Sequence, residues 1–228
     1  MNKIIFGIFA HPDDEAFGPS GTLLNEVKSG SELHLITLTN GDAGMNPDSL
    51  PNLGEVRLQE WKAAGKLLGA KSMRHLGYKD GHLNNIAMIE IGHQLIDFIT
   101  SVLQDAPTDV EIEFITLDLN GLTGHIDHIV AARAACFAFY SLKKADSRLS
   151  RIRFSCLAAT NYPEVDTGWI FREKGRTTEE IDETIDARDL ADELVAIANC
   201  HQTQRHDLEH FLTTAGNNLG LNYFIVRT

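Results

Sequence analysis

The stretch that decides the fold lies near the start of the chain and reads Lys3-Ile4-Ile5-Phe6-Gly7-Ile8-Phe9-Ala10-His11-Pro12-Asp13-Asp14-Glu15. Its first part is an apolar run rich in isoleucine and phenylalanine, which predicts a buried β-strand over residues 3–9. An imidazole, a proline and three consecutive carboxylates follow directly. Ligands of open α/β sheets bind at the carboxyl ends of the strands, so we expect residues 11–15 to lie at a binding edge.

The rest of the chain alternates between strand and helix patterns. A helical pattern over residues 21–30 connects the first strand to a second one over residues 32–39, which predicts a parallel pair with a right-handed crossover. Further helices are predicted over residues 54–69, 86–103, 129–145 and 186–199, the last capped by Asp186, and further strands over 72–76, 111–117, 151–159, 180–185 and 222–227. Residues 161–176, with Trp169 and Phe171, read as irregular. The pattern predicts a single α/β domain over residues 1–228 with a mostly parallel central sheet.

Composition excludes some classes of function. The chain is 43% hydrophobic, enough for a substantial core, and its net charge of −12 argues against nucleic-acid binding. No apolar run approaches the length of a membrane span, and the first one is too short for a signal peptide. The three cysteines are scattered and odd in number, as is typical of reduced thiols. We therefore expect a cytoplasmic protein without a membrane span, and the sequence leaves homo-oligomer formation open.

A second polar motif, residues 124–128, follows the predicted strand 111–117 and opens a helix. His125 and His128 are three residues apart, so they project from the same side of that helix. His11 and Asp14 are also three apart, across a turn stiffened by proline. Two imidazoles and one carboxylate, from His11, Asp14 and His128, would hold a catalytic Zn²⁺ and leave one coordination position open for water. Fe²⁺ or another divalent metal fits the same ligands.

Two other segments were weighed as parts of a site. His206 and His210 have the helical spacing of a metal pair, but they lack the glutamate of the zinc-peptidase signature and no strong strand precedes them. We expect this pair to be a surface feature. The glycine-punctuated loop over residues 39–53 follows the second strand at the same edge as His11, so we expect it to contribute to the pocket.

Together, the motif of residues 10–15 and the motif of residues 124–128 resemble those of the LmbE-like/PIG-L family of metal-dependent N-acetylglucosaminyl deacetylases. Weaker matches are the loop 41–44, the Arg-x-x-Glu helix at Arg57 and Glu60, and the segments 76–81 and 201–204. The resemblance extends from residue 3 to about residue 205. It implies a Rossmann-like three-layer sandwich and hydrolysis of an acetamide on a small acetylated amino sugar, which releases acetate and a free amine.

The resemblance also implies roles for individual residues. By this resemblance, the metal ligands are His11, Asp14 and His128, and the general base is Asp13. Asp127 would orient a neighbouring imidazole, and His125 would support the oxyanion or protonate the leaving amine. The substrate contacts would be Arg57, Asp42 and Glu15. One position departs from the pattern, because Thr123 stands where some members have a tyrosine that assists the oxyanion.

Other functions use similar features. A zinc amidase or esterase acting on a non-sugar substrate would need the same metal ligands, because the site chemistry does not fix the leaving group. A non-catalytic Rossmann-like binding module is disfavoured, since no Gly-x-Gly-x-x-Gly follows the first strand and the carboxylates of residues 13–15 would repel a pyrophosphate. For Arg57 itself, the alternative to a substrate contact is an exposed ion pair with Glu60 of little energetic value.

Overall fold

The apolar run at the start of the chain forms an inner strand of a seven-stranded sheet. A computed structural model describes residues 3–161 and 175–228. Its strands are β1 (Lys3–Phe9), β2 (Glu32–Thr39), β3 (Ser72–Tyr78), β4 (Glu111–Leu117), β5 (Leu149–Cys156), β6 (Glu183–Asp186) and β7 (Leu221–Arg227). The spatial order is β3-β2-β1-β4-β5-β7-β6; β1 to β5 pair in parallel, and β7 is antiparallel to both β5 and β6. The predicted mostly parallel α/β sheet is confirmed.

Helices cover both faces of this sheet. They are α1 (Asp14–Phe17), α2 (Ser20–Lys28), α3 (Leu53–Leu68), α4 (Asn85–Leu103), α5 (Gly121–Gly124), α6 (Ile126–Lys143), α7 (Ala191–Ala198) and α8 (Arg205–Ala215). Successive side chains of a strand point to opposite faces. Accordingly, Phe6 and Ile8 pack in the core that includes α4 and α6, whereas Ile5 and Phe9 pack in the core with α2, α3 and α7. The result is a three-layer sandwich.

The predicted elements agree with the structure except near residue 186. Asp186 does not cap a helix, because a 3₁₀ turn at Arg188–Leu190 intervenes and α7 begins only at Ala191. The Asp186 carboxylate instead accepts hydrogen bonds from the backbone and side chain of Arg188. Most of the stretch predicted to be irregular, residues 162–174 with Trp169 and Phe171, lies outside the described residues.

The chain order places a crevice at the centre of the sheet. From β1 the chain runs outward through β2 to β3, and it then returns to form β4 on the other side of β1. Loops that leave β1 and β4 at their carboxyl ends therefore diverge, which opens the crevice where ligands bind in open α/β sheets. The motif of residues 10–15 follows β1 and the motif of residues 124–128 follows β4, so both reach this crevice.

Two further features bear on the expected environment of the protein. The cysteines Cys136, Cys156 and Cys200 are all free thiols. Among the described residues, α4 is the one helix that meets the length and composition of a membrane span. Its Leu95 and Ile99 are fully buried in the core, and 28% of its apolar window is buried in all.

A buried ion cluster connects the strands on the α2 side of the sheet. Glu113 of β4 is fully buried, and its carboxylate lies 3.0 Å from Lys3 Nζ and 2.8 Å from Arg153 Nη2. Arg151 Nε is 3.1 Å from the same carboxylate. Arg153 is also fully buried, and it makes a second ion pair of 3.0 Å with Glu26. Removing one member of such a cluster leaves opposite charges buried without compensation.

We therefore expect Glu113→Gln to lower the free energy of unfolding by roughly 3–5 kcal/mol, because Arg153 and its neighbours lose their shared carboxylate. Urea unfolding followed by circular dichroism measures the change. Glu193→Gln is the matched control, since it breaks an exposed ion pair of 2.6 Å with Lys28, and it should leave the urea midpoint nearly unchanged. Equal midpoints for the two variants would contradict the importance of the buried cluster.

Candidate active site

The turn after β1 directs its first two carboxylates to different partners. Asp14 Oδ2 accepts hydrogen bonds from the backbone N–H groups of Ala10 and His11, both at 3.0 Å. Asp13 has a φ of 120°, in the left-handed region that residues other than glycine rarely adopt. Asp14 Oδ1 lies 3.1 Å from His128 Nε2, whereas Asp13 Oδ2 lies 2.7 Å from Arg57 Nη2. Asp14 thus contacts the histidine of the second motif, and the adjacent Asp13 contacts an arginine.

Arg57 holds Asp13 and its turn in place. Its Nη2 donates to the Asp13 carboxylate at 2.7 Å and to the Pro12 carbonyl at 2.8 Å, and its Nη1 donates to the Gly41 carbonyl at 2.7 Å. Only 4% of Arg57 is exposed, so the surface ion pair with Glu60 is not formed. Burial raises the pKa of Asp13 to about 6, and the charge of Arg57 opposes that rise. A carboxylate with this pKa is suited to exchange protons near neutral pH.

Glu15 also holds the turn in place. It is fully buried, its Oε2 accepts the backbone N–H of Asp13 at 3.2 Å, and its Oε1 lies 3.0 Å from Nε2 of the equally buried His201. Burial opposes protonation of His201, but the charge of Glu15 outweighs it and raises the pKa. The expectation that Glu15 contacts substrate is therefore not supported, because its side chain faces His201. Sequence reasoning quoted residues 201–204 but did not anticipate this contact.

His11, Asp14 and His128 converge at the crevice. His11 Nδ1 lies 3.1 Å from His128 Nε2 and 3.8 Å from Asp14 Oδ2. Two nitrogens bound to one tetrahedral zinc at about 2.05 Å lie about 3.3 Å apart. The spacing of the two imidazoles is therefore that of ligands sharing one cation.

The second nitrogen of each imidazole has a hydrogen-bond acceptor. His11 Nε2 lies 3.0 Å from Asp80 Oδ1 and 3.4 Å from Asp127 Oδ2. His128 Nδ1 lies 3.1 Å from the Gly121 carbonyl oxygen. These acceptors favour ring protons on His11 Nε2 and His128 Nδ1, which leaves His11 Nδ1 and His128 Nε2 as the nitrogens available to a metal. Burial opposes protonation of His11, but its hydrogen bonds with Asp127, Asp14 and Asp80 outweigh it and hold its pKa well above the usual value, so the 3.1 Å contact with His128 is the length of a hydrogen bond. A cation in place of that proton would meet two imidazole nitrogens and one carboxylate, and this donor set fits a divalent metal.

Asp127 and Asp80 are themselves anchored by backbone groups. Asp127 accepts the N–H groups of Gly81 at 2.8 Å and Leu83 at 3.1 Å, in addition to its contact with His11. Asp80 accepts the N–H of Ala43 at 2.8 Å. Burial alone would raise the pKa of Asp80, but the hydrogen bond and charge of His11 outweigh it and bring the pKa to about 2. Asp80 was missed as a site residue, although its position just after β3 was a usable signal.

His125 begins α6 and also reaches the site. Its Nδ1 accepts the backbone N–H of Asp127 at 3.2 Å, which caps the helix and leaves the ring proton on Nε2. Burial, together with the nearby imidazoles of His128 and His11, lowers the pKa of His125 to about 4. The ligand atoms of His11, His125 and His128 all lie within 4.8 Å of one another. His125 therefore lies in the same cluster as His11 and His128, with its Nδ1 already engaged by the N–H of Asp127.

A cavity of about 520 Å³ opens over these groups. It is lined by His11, Asp13, Asp14, Arg57, Asp80, His125 and His128, among others. The loop after β2 lines it through Ala43, Gly44 and Met45, as expected, but the exposed Asp42 is not part of the lining. His206 and His210 are exposed on α8 and belong to neither potential metal cluster of the described residues.

Asp80→Asn should lower the affinity for a divalent metal by roughly 10- to 100-fold, because the amide no longer fixes His11 with its Nδ1 lone pair towards the site. Competition with a chromophoric chelator measures the dissociation constant for zinc. Asp42→Asn removes an exposed carboxylate of the loop after β2 and serves as the control. Equal affinities for the two variants would show that Asp80 does not orient His11.

The fold is shared with known structures. The structure of N,N'-diacetylchitobiose deacetylase from Pyrococcus horikoshii superposes with a TM-score of 0.67 and 20% sequence identity, over 99% of this chain and 83% of that one. At this level of identity the likeness shows the fold alone.

Curated relatives are more similar in sequence. A 1D-myo-inositol 2-acetamido-2-deoxy-alpha-D-glucopyranoside deacetylase from Salinispora arenicola is 31% identical over 58% of this chain and 49% of its own length. A probable N-acetyl-alpha-D-glucosaminyl L-malate deacetylase 2 from Bacillus subtilis is 27% identical over 90% of this chain and 84% of its own length. The chain thus spans about half the length of the first relative and most of the second.

A family model agrees with the resemblance of the two motifs. The model for PIG-L, described as GlcNAc-PI de-N-acetylase, matches residues 6–139. The match includes both histidine motifs and Arg57. Because it covers more than half of the chain, this protein belongs to the PIG-L family.

Proposed function

We propose that this protein is a metal-dependent deacetylase that removes the acetyl group from an N-acetylglucosamine-type sugar or conjugate and releases acetate and a free amine. The observation that carries the proposal is the convergence of His11 Nδ1 and His128 Nε2, which lie 3.1 Å apart beside the carboxylate of Asp14. The relatives are deacetylases of acetylated amino sugars by name, which supports the choice of substrate class. The three free thiols favour a cytoplasmic location.

His11, Asp14 and His128 would hold the metal. Two imidazole nitrogens and one carboxylate oxygen suit Zn²⁺, and Fe²⁺ accepts the same ligands. When bound, such a cation supplies Lewis-acid chemistry, since it activates water and polarises the acetamide carbonyl.

Asp13 is the proposed general base. Its carboxylate lines the same cavity as the ligand set, and its Oδ2 is held by Arg57 at 2.7 Å. There it takes a proton from the attacking water, while Arg57 fixes its orientation through the hydrogen bond to Oδ2. As the tetrahedral intermediate collapses, the same carboxylic acid gives this proton to the departing amine nitrogen, so that the C–N bond breaks with release of a neutral amine and acetate.

His125 is the proposed donor to the oxyanion. Its Nδ1 is occupied by the N–H of Asp127, so its Nε2–H is the group that remains for a ligand. A donor fixed before the reaction stabilises the developing charge without reorganisation. Thr123, which stands beside it in the cavity lining, is too short to supply the phenolic donor of some relatives.

The proposal is tested by assaying a panel of N-acetylglucosamine glycosides for acetate and free amine, with N-acetyl amino acids as the comparison. We expect turnover of the sugar series alone. Removal of metal with a chelator should abolish turnover, and added Zn²⁺ or Fe²⁺ should restore it. Hydrolysis of the amino acid series with no turnover of the sugars would instead support a zinc amidase with a non-sugar substrate.

Asp13→Asn should reduce kcat by roughly 10²- to 10⁴-fold, because the amide can hydrogen-bond to Arg57 but cannot take a proton. Metal content measured by atomic absorption should equal that of the unaltered protein. Loss of metal from this variant would assign Asp13 to the ligand set and refute its role as base.

The two histidines of the second motif should respond differently. His128→Ala should lose most of its metal affinity, since it removes a ligand. His125→Asn should keep the metal and the cap of α6, because asparagine is a good capping residue, and should lower kcat by roughly 10²- to 10³-fold. Metal loss in the His125 variant and retention in the His128 variant would mean that the two roles are reversed.

A further inference from the structure

A second cavity of about 260 Å³ lies beside the one that contains the histidines. It is enclosed by the carboxyl end of β5, by α8 and by the segment that enters β7. Its lining is mostly apolar and includes Cys156, Leu157, Ala158, Phe211, Ala215 and Leu219. Polar side chains, among them His210, Asn218 and Asn222, line part of it. None of these side chains takes part in the proposed chemistry.

The two cavities adjoin each other. Both are lined by Phe17, Gly18, Leu122, Thr123 and Asp207. A ligand that reaches from one to the other must therefore pass between these residues. The two cavities can consequently bind two parts of one molecule.

We propose that the second cavity binds an apolar aglycone, an alkyl or aryl group joined to the acetylated amino sugar. The inference rests on the proposed deacetylase function and narrows its substrate class. A pocket with this lining favours alkyl or aromatic groups, because it removes their surface from water. A strongly polar or charged aglycone would lose its hydration against the apolar side chains that make up most of the lining.

The junction between the cavities indicates which part of the substrate lies where. Asp207 offers a carboxylate and Thr123 a hydroxyl at this point. Such groups bind the hydroxyls of a sugar ring, whereas they would be desolvated at a cost by a passing acyl chain. The order from the histidines outward is therefore acetamide, sugar ring, apolar aglycone.

The contribution of the apolar aglycone to kcat/KM can be measured with a series of alkyl glycosides. Each methylene that leaves water should raise kcat/KM by up to about fourfold. We expect this increase along methyl, butyl and hexyl N-acetylglucosaminides, mainly through a lower KM. Leu157→Asn, which is nearly isosteric and polar, should reduce the ratio of the hexyl to the methyl value. Ala215→Leu, which fills the cavity, should reduce the same ratio. It provides an independent test in case Leu157→Asn does not fold.

Leu67→Asn is the matched control, because Leu67 is 50% exposed on α3 and lines neither cavity. It should keep the full hexyl-to-methyl ratio. Equal kcat/KM for the methyl and hexyl glycosides of the unaltered enzyme would overturn the proposal. A gain with N-hexanoyl over N-acetyl methyl glucosaminide, without a gain in the glycoside series, would overturn it by assigning the cavity to the acyl side.

Calorimetry measures binding to the apolar cavity independently of deacetylation. Hexyl glucosaminide, the deacetylated product, should bind the metal-loaded protein more tightly than methyl glucosaminide does. If no glycoside is deacetylated while this difference in binding persists, the proposed function fails and the apolar subsite stands. If deacetylation occurs but the two products bind equally, the subsite fails and the deacetylase remains.

Discussion

The left-handed backbone conformation of Asp13 is the constraint on which the rest of the site depends. Such a conformation in a residue with a side chain costs on the order of 1–3 kcal/mol, and it persists only where surrounding contacts enforce it. Arg57 enforces it through the Pro12 carbonyl and the Asp13 carboxylate, and Glu15 enforces it through the Asp13 N–H. The turn can therefore present the carboxylate of Asp13 to the guanidinium of Arg57 and the carboxylate of Asp14 to the histidines. Residues far apart in the sequence are buried here to keep that turn in place.

Local sequence signals predicted the sheet and much of the site. The apolar runs before residues 11 and 118 identified β1 and β4, and the polar motifs after them predicted that His11, Asp14 and His128 would meet. The roles of these residues stay predictions. Asp80 and His201 escaped notice because their contacts with His11 and Glu15 join separate loops, and neither periodicity nor spacing records such pairings. For the same reason, the sequence could not reveal that Glu15 is buried and Asp42 is exposed outside the cavity.

The start of α6 combines a structural and a chemical task. His125 caps the helix with one ring nitrogen, and this contact leaves the other nitrogen protonated towards the cavity. The positive end of the helix macrodipole also disfavours an imidazolium at that position, in agreement with the pKa of about 4. A neutral imidazole there adds no like charge beside a bound cation. The capping contact thus fixes both the position and the protonation state of the proposed donor.

The two cavities are built from different parts of the chain. Most of the groups assigned to the chemistry lie within residues 6–139, the segment that the family model matches. The apolar walls come from residues 155–158 and from the stretch 211–221. Divergence within that later portion could therefore retune molecular selectivity while the hydrolytic apparatus stays intact. This separation offers an evolutionary route by which one ancestral fold comes to accept different sugar conjugates as substrates without changes to its reactive centre.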